Sequence, residues 1–399
     1  MFDLREHGFT NCILSDDLHD LSNNLPQWNL VPRINHEQVG TKNWDYIKFP
    51  LVGPSGELFL PAFEWGSKLD EGTYGKIYIA NRKIYKSVTR DEKGKMQFRA
   101  VDSPHQIVIK ESQITLSPEE LKETPSVRLQ IINEEVQTLI HEAAVMTLAH
   151  IALKKVGLEQ SIPRAYELFL KTQPVPIHIT DICSVCISME YIHGNTLLKY
   201  MRIHFKHDRI HNDKIFLGFV KQMATILKVL QDTLRMNHRD IKINNILLRD
   251  PDSLNPTIVL IDYGFACIAN GVQEPDAEMS NIEAGAFFGS RYACFKHGRD
   301  MCQFLYSLHC YFPFDQYLSL RCLDMVRAWM SVPCSTGVVN LLNGISHKGH
   351  GYLEKQTTVT FDEGIYYFLR RPEVDPLHCS PGRILKDIEH YEQRVGYST

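Results

Sequence analysis

The segment from residue 213 to residue 262 constrains the fold more than any other part of the chain. Its first half, 213–235, carries apolar residues at spacings of three and four, which predicts an amphipathic helix. Two short apolar runs come next, 246–248 and 258–261, and both are too short for helices. They predict a pair of strands. A polar loop, 237–245, therefore joins a long helix to a small sheet.

Length and composition are those of an ordinary globular protein. The 399 residues, 44% of them hydrophobic and 23% charged, exceed what one compact core normally holds, so two lobes are expected. The net charge of −4 gives no general reason to expect nucleic acid as a partner. No run approaches about 20 consecutive apolar residues, so no membrane-spanning helix is predicted. The acidic residues near the start of the chain are unlike a signal peptide.

The ten cysteines are too few and too dispersed to predict a disulfide framework. Cys183 and Cys186 form a C-x-x-C pattern, but they lie in the apolar run 182–187, which is typical of a buried strand. Free cysteine in such a strand behaves as a small hydrophobic residue. The cysteine pattern therefore favours a reducing, intracellular environment.

The pattern along the chain predicts four regions. An N-terminal extension, a small strand-rich lobe, a connector and a larger helical lobe are expected at 1–60, 61–189, 190–194 and 195–399. The extension is rich in proline and should pack on the strand-rich lobe. Within that lobe, a helical pattern runs from about 129 to 150. Ser117 and Glu120 have the spacing of a capping box, which predicts a helix start before that pattern.

Two glycines in the strand-rich region are candidates for phosphate contact. Gly72 and Gly75 stand between strand-like runs, where backbone amides could approach a phosphate without a β-carbon in the way. A G-x-x-G pattern is a weak signal when taken alone, because many hairpins contain one. The pattern supports a phosphate contact only in combination with the motifs that come after it in the chain.

A lysine and an acid further along form a second candidate pair. Lys110 ends an apolar strand pattern, and Glu142 interrupts the apolar face of the long helix. An unpaired charge in an apolar setting is costly, so Glu142 is the favoured partner for Lys110. Glu134 and Glu135, about two turns earlier, are alternatives that rank lower because they precede the most apolar stretch.

The strongest chemical signal is the loop 237–245 with the acid that comes after it. The loop carries Asp240, Lys242 and Asn245, and Asp262 ends the second apolar run. These residue types suit phosphoryl transfer. Asp262 would hold Mg²⁺ across the phosphates, and Asn245 would take a second metal position. Asp240 would accept a hydroxyl proton, and Lys242 would balance charge on the phosphoryl group.

Taken in order, these motifs resemble those of eukaryotic-type protein kinases over roughly residues 65–310. The matching residues are Gly72, Gly75, Lys110, Glu142, Met189-Glu190-Tyr191-Ile192, His238-Arg239-Asp240, Lys242, Asn245 and Asp262-Tyr263-Gly264. The resemblance implies an α+β, bilobal protein-kinase-like fold with a small β-rich N-lobe, a larger helical C-lobe and ATP in the cleft. It also implies Mg as the metal and a protein as the substrate.

The resemblance implies roles for further residues. It implies that Lys110 binds the α- and β-phosphates while paired with Glu142. It also implies that Arg239 is the residue through which phosphorylation of the activation segment acts. Lys242 matches the serine/threonine pattern, which implies transfer to Ser or Thr hydroxyls. The nucleotide would be lined by Gly72, Thr73, Gly75, Ile77, Met189, Glu190 and Ile192.

The chain also departs from the family pattern. Asp70 replaces the first glycine of the loop, and Ile243 stands where proline is common. Lys296 stands where the acid of A-P-E belongs, so the usual buried Glu–Arg pair cannot form. Asp300 is expected to brace the catalytic loop from a helix start. In lacking A-P-E and carrying an N-terminal extension, the chain resembles the shortened kinases of large double-stranded DNA viruses.

Some expectations stay open at the level of sequence. Ser290 is expected to lie near Asp240 and Lys242, and Ser280 and Ser290 are candidate phosphorylation positions. Two other functions remain: a small-molecule kinase of the aminoglycoside or choline type, and a pseudokinase that keeps the fold as a binding module. The sequence does not indicate the oligomeric state, and it matches no family element beyond about residue 310.

Overall fold

A computed structural model of the chain is a mixed α+β structure with a large antiparallel sheet and several helices. None of the helices in the described part is long and apolar enough to cross a membrane. The structure describes residues 45–48, 51–52, 58–72, 75–90, 96–100, 105–114, 116–172, 182–253, 255–268, 282–283, 295–330, 369 and 375–395.

The described residues fall into two compact units. The first contains the described residues up to Thr147 together with Pro163–Tyr191, and the second contains Leu148–Ile162 and the residues from Ile192 onward. The division after Tyr191 falls within 190–194, the range for which the sequence predicts a connector.

The first unit is built on an eight-stranded sheet in which all neighbours are antiparallel. The strands β1 to β8 are Asp45–Lys48, Leu51–Val52, Leu58–Gly72, Gly75–Arg90, Met96–Ala100, His105–Gln113, Ala165–Thr172 and Ile182–Glu190. Their order is β1-β7-β8-β6-β4-β3-β2, and β5 pairs with β4 outside this path. The sheet therefore places β6 between β4 and β8.

Strand β6 forms the centre of the hydrophobic core of this unit. Its residues Ile107 and Ile109 are fully buried and pack with Phe63, Ala80 and Cys186. Consecutive buried residues along β6 are typical of a strand that is covered on both faces. Burial of each large side chain of this kind contributes about 1.5–3 kcal/mol to the stability of the fold.

The described residues of the predicted N-terminal extension belong to this sheet. Strand β1 pairs with β7, and β2 pairs with the start of β3. Because β3 begins at Leu58, the boundary predicted between residues 60 and 61 falls inside a strand. The strand is difficult to predict from the sequence because it contains Pro61, and proline is rare inside sheets. At Pro61 the strand pairs with β4 alone among the described residues, because β2 reaches only Leu58 and Phe59.

Helix α1 (Pro125–Lys154) contains the predicted helical pattern and extends it at both ends. The predicted capping box is present, since Glu120 N–H donates to Ser117 Oγ at 3.2 Å and Ser117 N–H donates to Glu120 Oε2 at 2.6 Å. The box lies at the entry to a 3-10 turn, Glu120–Lys122, and not at the start of the helix. The prediction of a helix start at Ser117 is therefore wrong. The helix begins at Pro125, because the residue before a proline is disfavoured in helical conformation.

The described residues of the second unit form helices and two small sheets. Its strands β9 to β14 are Gly194–Thr196, Met236–Asn237, Ile246–Arg249, Thr257–Leu260, Cys267–Ile268 and Ile282–Glu283. Its helices α2 to α7 are Leu197–His204, Arg209–Leu234, Arg299–Tyr311, Phe314–Tyr317, Leu320–Met330 and Pro381–Val395. The predicted strand pair is confirmed, because β11 and β12 are antiparallel neighbours with Ile246 opposite Leu260.

Helix α3 (Arg209–Leu234) is the amphipathic helix that the sequence predicts at 213–235. Asp208 caps its start by accepting hydrogen bonds from two main-chain N–H groups, and Arg235 ends it in left-handed conformation at φ 48°. Helix α7 (Pro381–Val395) packs against α3 and forms an ion pair at 2.8 Å between Lys221 and Glu392. Residues near the end of the chain, which match no family element, are thus part of the second unit.

The cysteines of the described residues are mostly free and buried. Cys186, Cys302, Cys310, Cys322 and Cys379 are free thiols. Cys267 is disulfide-bonded, which the sequence does not predict. Cys186 lies in β8, in agreement with the prediction of a buried strand for its C-x-x-C pattern.

Candidate active site

In the first unit, Lys110 and Glu142 form a buried ion pair. Lys110 Nζ lies 2.6 Å from Glu142 Oε1, and the two side chains are only 9% and 6% exposed. Lys110 comes from β6 and Glu142 from α1. The predicted pairing is therefore present in the structure. The side chains of the alternatives Glu134 and Glu135 lie outside the described ones.

The glycine hairpin lies beside this pair in the same sheet. Gly72 and Gly75 are register partners that close β3 and β4, and Ile77 lies opposite Lys110. A β-carbon on Gly75 would come 2.6 Å from the main-chain oxygen of Glu111. This close approach of β6 requires glycine at position 75 whether or not a phosphate binds there.

Two further loop positions complete this region. Asp70, which replaces the first glycine of the family motif, is exposed and accepts a hydrogen bond at 2.8 Å from the main-chain N–H of Glu71. Thr73, the remaining predicted nucleotide contact in the hairpin, lies outside the described residues.

The remaining predicted nucleotide contacts, Met189, Glu190 and Ile192, lie at and after the end of β8. Met189 pairs in register with Val108 of β6, and both Met189 and Glu190 are partly buried. Glu190 N–H donates to Arg164 O at 2.9 Å, and Glu190 Oε2 accepts from Arg164 N–H at 3.3 Å. Ile192 belongs to the second unit and is 6% exposed.

In the second unit, a buried aspartate holds the main chain of the loop 237–245. Asp300, in the first turn of α4 (Arg299–Tyr311), is fully buried. Its Oδ2 accepts from His238 N–H at 2.9 Å, and its Oδ1 accepts from Arg239 N–H at 3.0 Å. The predicted brace is therefore present. It fixes the main chain immediately before Asp240.

Two predicted functional residues, Lys242 and Asn245, contact Asp240. Lys242 Nζ lies 3.0 Å from Asp240 Oδ2. Asn245 Nδ2 donates to the same carboxylate oxygen at 2.9 Å and to the main-chain oxygen of Asp240 at 3.0 Å. Because the amide nitrogen of Asn245 faces Asp240, its carboxamide oxygen is the atom that suits a cation. Carboxamide and carboxylate oxygens are the ligands that Mg²⁺ prefers, so Asn245 and Asp262 fit such an ion.

The environment of Asp240 favours a base. Burial raises the pKa of the Asp240 carboxyl above its ordinary value, and the negative charge of Asp262 raises it further. The Lys242 ammonium opposes this shift. A carboxylate with a raised pKa accepts a proton more readily than an ordinary surface aspartate.

Two residues in this region adopt left-handed backbone conformations. Arg239 has φ 66° and Asp262 has φ 65°. Residues other than glycine pay about 1–3 kcal/mol for such conformations, which cluster at functional sites. Arg239 is buried, and its Nε donates to the main-chain oxygen of Phe265. These features place strained backbone at or next to the two acids that the sequence singles out.

His238 and Tyr263 fill the space behind the loop. Burial lowers the pKa of His238, which favours the neutral ring, although the charge of Asp300 acts in the opposite direction. His238 Nε2 donates to the main-chain oxygen of Ile261 at 3.2 Å. The ring of Tyr263 lies 4.7 Å from that of His238, and burial raises the pKa of its hydroxyl.

Lys296, which replaces the acid of A-P-E, is buried and bonded. Its Nζ donates to the main-chain oxygen of Leu369 at 2.7 Å. Its main-chain N–H and C=O bond the side chain of Asn237 at 2.6 and 3.0 Å. Gly298 N–H donates to Asp375 Oδ1 at 3.0 Å. The segment before α4 is thus held by Asn237 of the loop 237–245 and by Leu369 and Asp375.

The sequence predicts no role for three residues whose side chains help to hold the loop 237–245. Asn237 belongs to the loop itself, and Gln303 and Ser307 lie on α4. Asn237, Gln303 and Ser307 are buried and bond to the loop or to Lys296. The one signal that could have indicated Gln303 and Ser307 is their spacing from Asp300, which places three polar residues on one face of α4.

The two candidate phosphorylation positions, Ser280 and Ser290, lie outside the described residues. Within the described part, no group of three or more His, Cys, Asp and Glu residues could hold a metal ion. The predicted ligand set is of another kind, since it consists of one amide and one carboxylate that would share the ion with phosphate oxygens.

Comparison with known proteins adds no relative. No protein-family model matches the chain, and no curated protein does.

Proposed function

We propose that the chain transfers the terminal phosphoryl group of ATP to Ser or Thr hydroxyls of a protein substrate, and that its two units form the bilobal fold of a protein kinase. The arrangement at Asp240 carries the proposal. Its carboxylate contacts Lys242 and Asn245 on a loop whose main chain is held by the buried Asp300. This arrangement supports a preorganised base with a neighbouring cation and a metal-binding amide.

Asp240 is proposed to accept the proton of the attacking hydroxyl. Its raised pKa suits this task, because a stronger base takes the proton more readily as the oxygen attacks. Lys242 lies 3.0 Å from the same carboxylate and would offset negative charge on the phosphoryl group as it moves. Proton transfer and charge balance would then come from neighbouring side chains.

Asn245 and Asp262 are proposed to hold Mg²⁺. The ion, when bound, would offset the charge of the phosphates and orient them. The contribution of the chain is to aim the carboxamide oxygen of Asn245, which it does by directing the amide nitrogen to Asp240. Repulsion between Asp240 and Asp262, which contributes to the raised pKa of Asp240, also favours a cation near the two acids.

Lys110 is proposed to bind the α- and β-phosphates. A buried ammonium needs a partner, and Glu142 supplies one at 2.6 Å. The pair would orient the ammonium before ATP arrives. The nucleotide is proposed to be lined by Gly72, Thr73, Gly75, Ile77, Met189, Glu190 and Ile192.

The test compares the wild type with Asp240→Asn in an assay with Mg·ATP and a generic Ser/Thr protein substrate. Loss of a proton acceptor costs roughly 10²- to 10⁴-fold in rate, so transfer should almost vanish. Asp232→Asn, which changes an exposed aspartate of α3, is the matched control and should keep full activity. Equal transfer by wild type and Asp240→Asn would show that the role of Asp240 is wrong.

The same assay separates the alternatives. Transfer to members of a metabolite panel but not to protein would replace the proposal with a small-molecule kinase. Binding of ATP without transfer to either substrate class would indicate a pseudokinase.

A further inference from the structure

Helix α4 presents three polar side chains to the catalytic loop. Asp300, Gln303 and Ser307 are spaced three and four residues apart and therefore share one face of the helix. Asp300 accepts from the N–H groups of His238 and Arg239. Gln303 Nε2 donates to Arg239 O at 2.9 Å, and Ser307 Oγ accepts from the N–H of a later loop residue. One helix face thus binds the loop at several points.

The bond to Ser307 involves the position where the sequence departs from the family pattern. Ile243 N–H donates to Ser307 Oγ at 2.9 Å. Both residues are buried, with exposures of 0% and 3%. A buried N–H without an acceptor costs free energy, so an isoleucine at 243 requires an acceptor where proline would not. Ser307 supplies this acceptor.

We propose that Ser307 and Gln303 are positioning residues that hold the main chain on both sides of Asp240 and so keep Asn245 against its carboxylate. This inference rests on the function proposed above. Gln303 holds the chain through Arg239, immediately before Asp240. Ser307 holds it through Ile243, which begins the 3-10 turn Ile243–Asn245.

The turn explains how Ser307 acts on the proposed chemistry. Ile243 and Asn245 lie in the same turn, and Asn245 bonds to Asp240 through its amide. A shift of Ile243 therefore moves the proposed metal ligand relative to the proposed base. Misplacement of a catalytic group by about 1 Å can cost roughly 100-fold in rate.

Proline at position 243 gives a sharp test of this role. Proline has no N–H, so it needs no acceptor on α4. The backbone already suits it, because Lys242 is extended at φ −133° and ψ 156°, and position 243 is the first of a helical turn. In a chain that lacks the Ser307 hydroxyl, Ile243→Pro removes the unpaired donor.

The experiment uses the full chain with four variants. They are Ser307→Ala, Ser307→Ala with Ile243→Pro, Ser307→Ala with Ile243→Val, and Ser161→Ala. The valine variant reduces side-chain volume but keeps the donor. Ser161 is a matched control because it is 4% exposed, belongs to the same unit, and ends a separate 3-10 turn, Glu159–Ser161, outside the catalytic loop.

We expect Ser307→Ala to change kcat and the Mg²⁺ dependence of the rate more than the KM for the protein substrate. Ser307→Ala should lower kcat by about 10- to 100-fold and raise the Mg²⁺ concentration for half-maximal rate, with KM for the protein substrate little changed. Addition of Ile243→Pro should restore most of the rate, and Ile243→Val should not. Ser161→Ala should match the wild type. Unchanged kcat in Ser307→Ala, or equal recovery with valine and proline, would overturn the proposal.

Amide hydrogen exchange separates this inference from the proposed function. In Ser307→Ala, exchange should become at least about tenfold faster at Ile243 and Asn245 and stay unchanged in α3. If the wild type transfers no phosphate, the proposed function fails, and the exchange rates still decide whether Ser307 holds the loop. Unchanged exchange at Ile243 would refute that role.

Discussion

The two candidate groups of charged residues are built in different ways. In the first unit, Lys110 and Glu142 meet through the ends of two long side chains, one from a strand and one from a helix. In the second unit, Asp240 lies on a loop whose main chain bonds to side chains of α4. The first group depends on charge pairing, and the second depends on backbone geometry.

This difference predicts different responses to substitution. Removal of one partner from a buried ion pair leaves a charge in a poorly solvated place, which destabilises the fold. A side chain on a loop held by its main chain can change without loss of the loop, because its supports lie elsewhere. Substitution of Lys110 or Glu142 should therefore lower stability in addition to any effect on phosphate binding, whereas substitution of Asp240 should lower activity with little change in stability.

The largest effect on stability is expected at the buried pair. Glu142→Leu removes the carboxylate that lies 2.6 Å from Lys110, and Lys110→Met removes the ammonium. Each single change should lower the free energy of unfolding by about 3–5 kcal/mol. The double variant should lose less than the sum of the two, because neither charge is then left without the other. Urea unfolding measures all three. Strict additivity would show that the pair is not coupled.

An intermediate effect is expected in the pH dependence of transfer. The proposed base must be ionised, and burial raises the pKa of Asp240, so the rate should fall as pH drops through that raised value. The fall should reach about tenfold per pH unit and begin at a higher pH than for an ordinary aspartate. A pH–rate profile measures it.

A lysine variant sharpens the pH prediction. The Lys242 ammonium lowers the pKa of Asp240, so Lys242→Met should move the acid limb of the profile to higher pH as well as slow the reaction. Lys228→Met, which changes an exposed lysine of α3, should leave the limb in place. A limb that stays fixed in Lys242→Met would contradict the assignment of Asp240 as the titrating group.

The smallest effect is expected at an exposed ion pair. Lys228 and Asp232 are one helical turn apart in α3, with side chains 48% and 63% exposed. Solvent screens such a pair, so Asp232→Asn should change the free energy of unfolding by no more than about 0.5 kcal/mol. Urea unfolding beside the buried-pair variants tests the contrast. A loss comparable to that of Glu142→Leu would remove the distinction between the two kinds of pair.

Local patterns in the sequence are enough to predict much of the structure. The periodicity of α3, the strand pair β11–β12 and the pairing of Lys110 with Glu142 follow from residue spacing and from the cost of burying a lone charge. The brace from Asp300 follows from resemblance to a family motif. Each of these features has a local sequence pattern around the residues that form it.

The remaining contacts have no such local sequence pattern. Strands β1 and β2 lie in a proline-rich stretch that shows no strand periodicity, and although β2 pairs with the neighbouring β3, β1 pairs with the distant β7. Gln303 and Ser307 bond to main-chain atoms. Because every residue carries a main-chain N–H or C=O group, the residue type of the partner does not indicate such a bond. The capping box at Ser117 is present as a local motif, but the proline at 125 sets the helix start.

The bond from Lys296 to the oxygen of Leu369 also concerns the order in which the protein is made. A nascent chain that has emerged only as far as α4 has the lysine but lacks its acceptor, which lies 73 positions later. Asp375, the acceptor for Gly298, emerges later still. The segment next to the loop 237–245 can therefore reach its final arrangement only after the chain has left the ribosome as far as residue 375 and beyond the length that the exit tunnel covers.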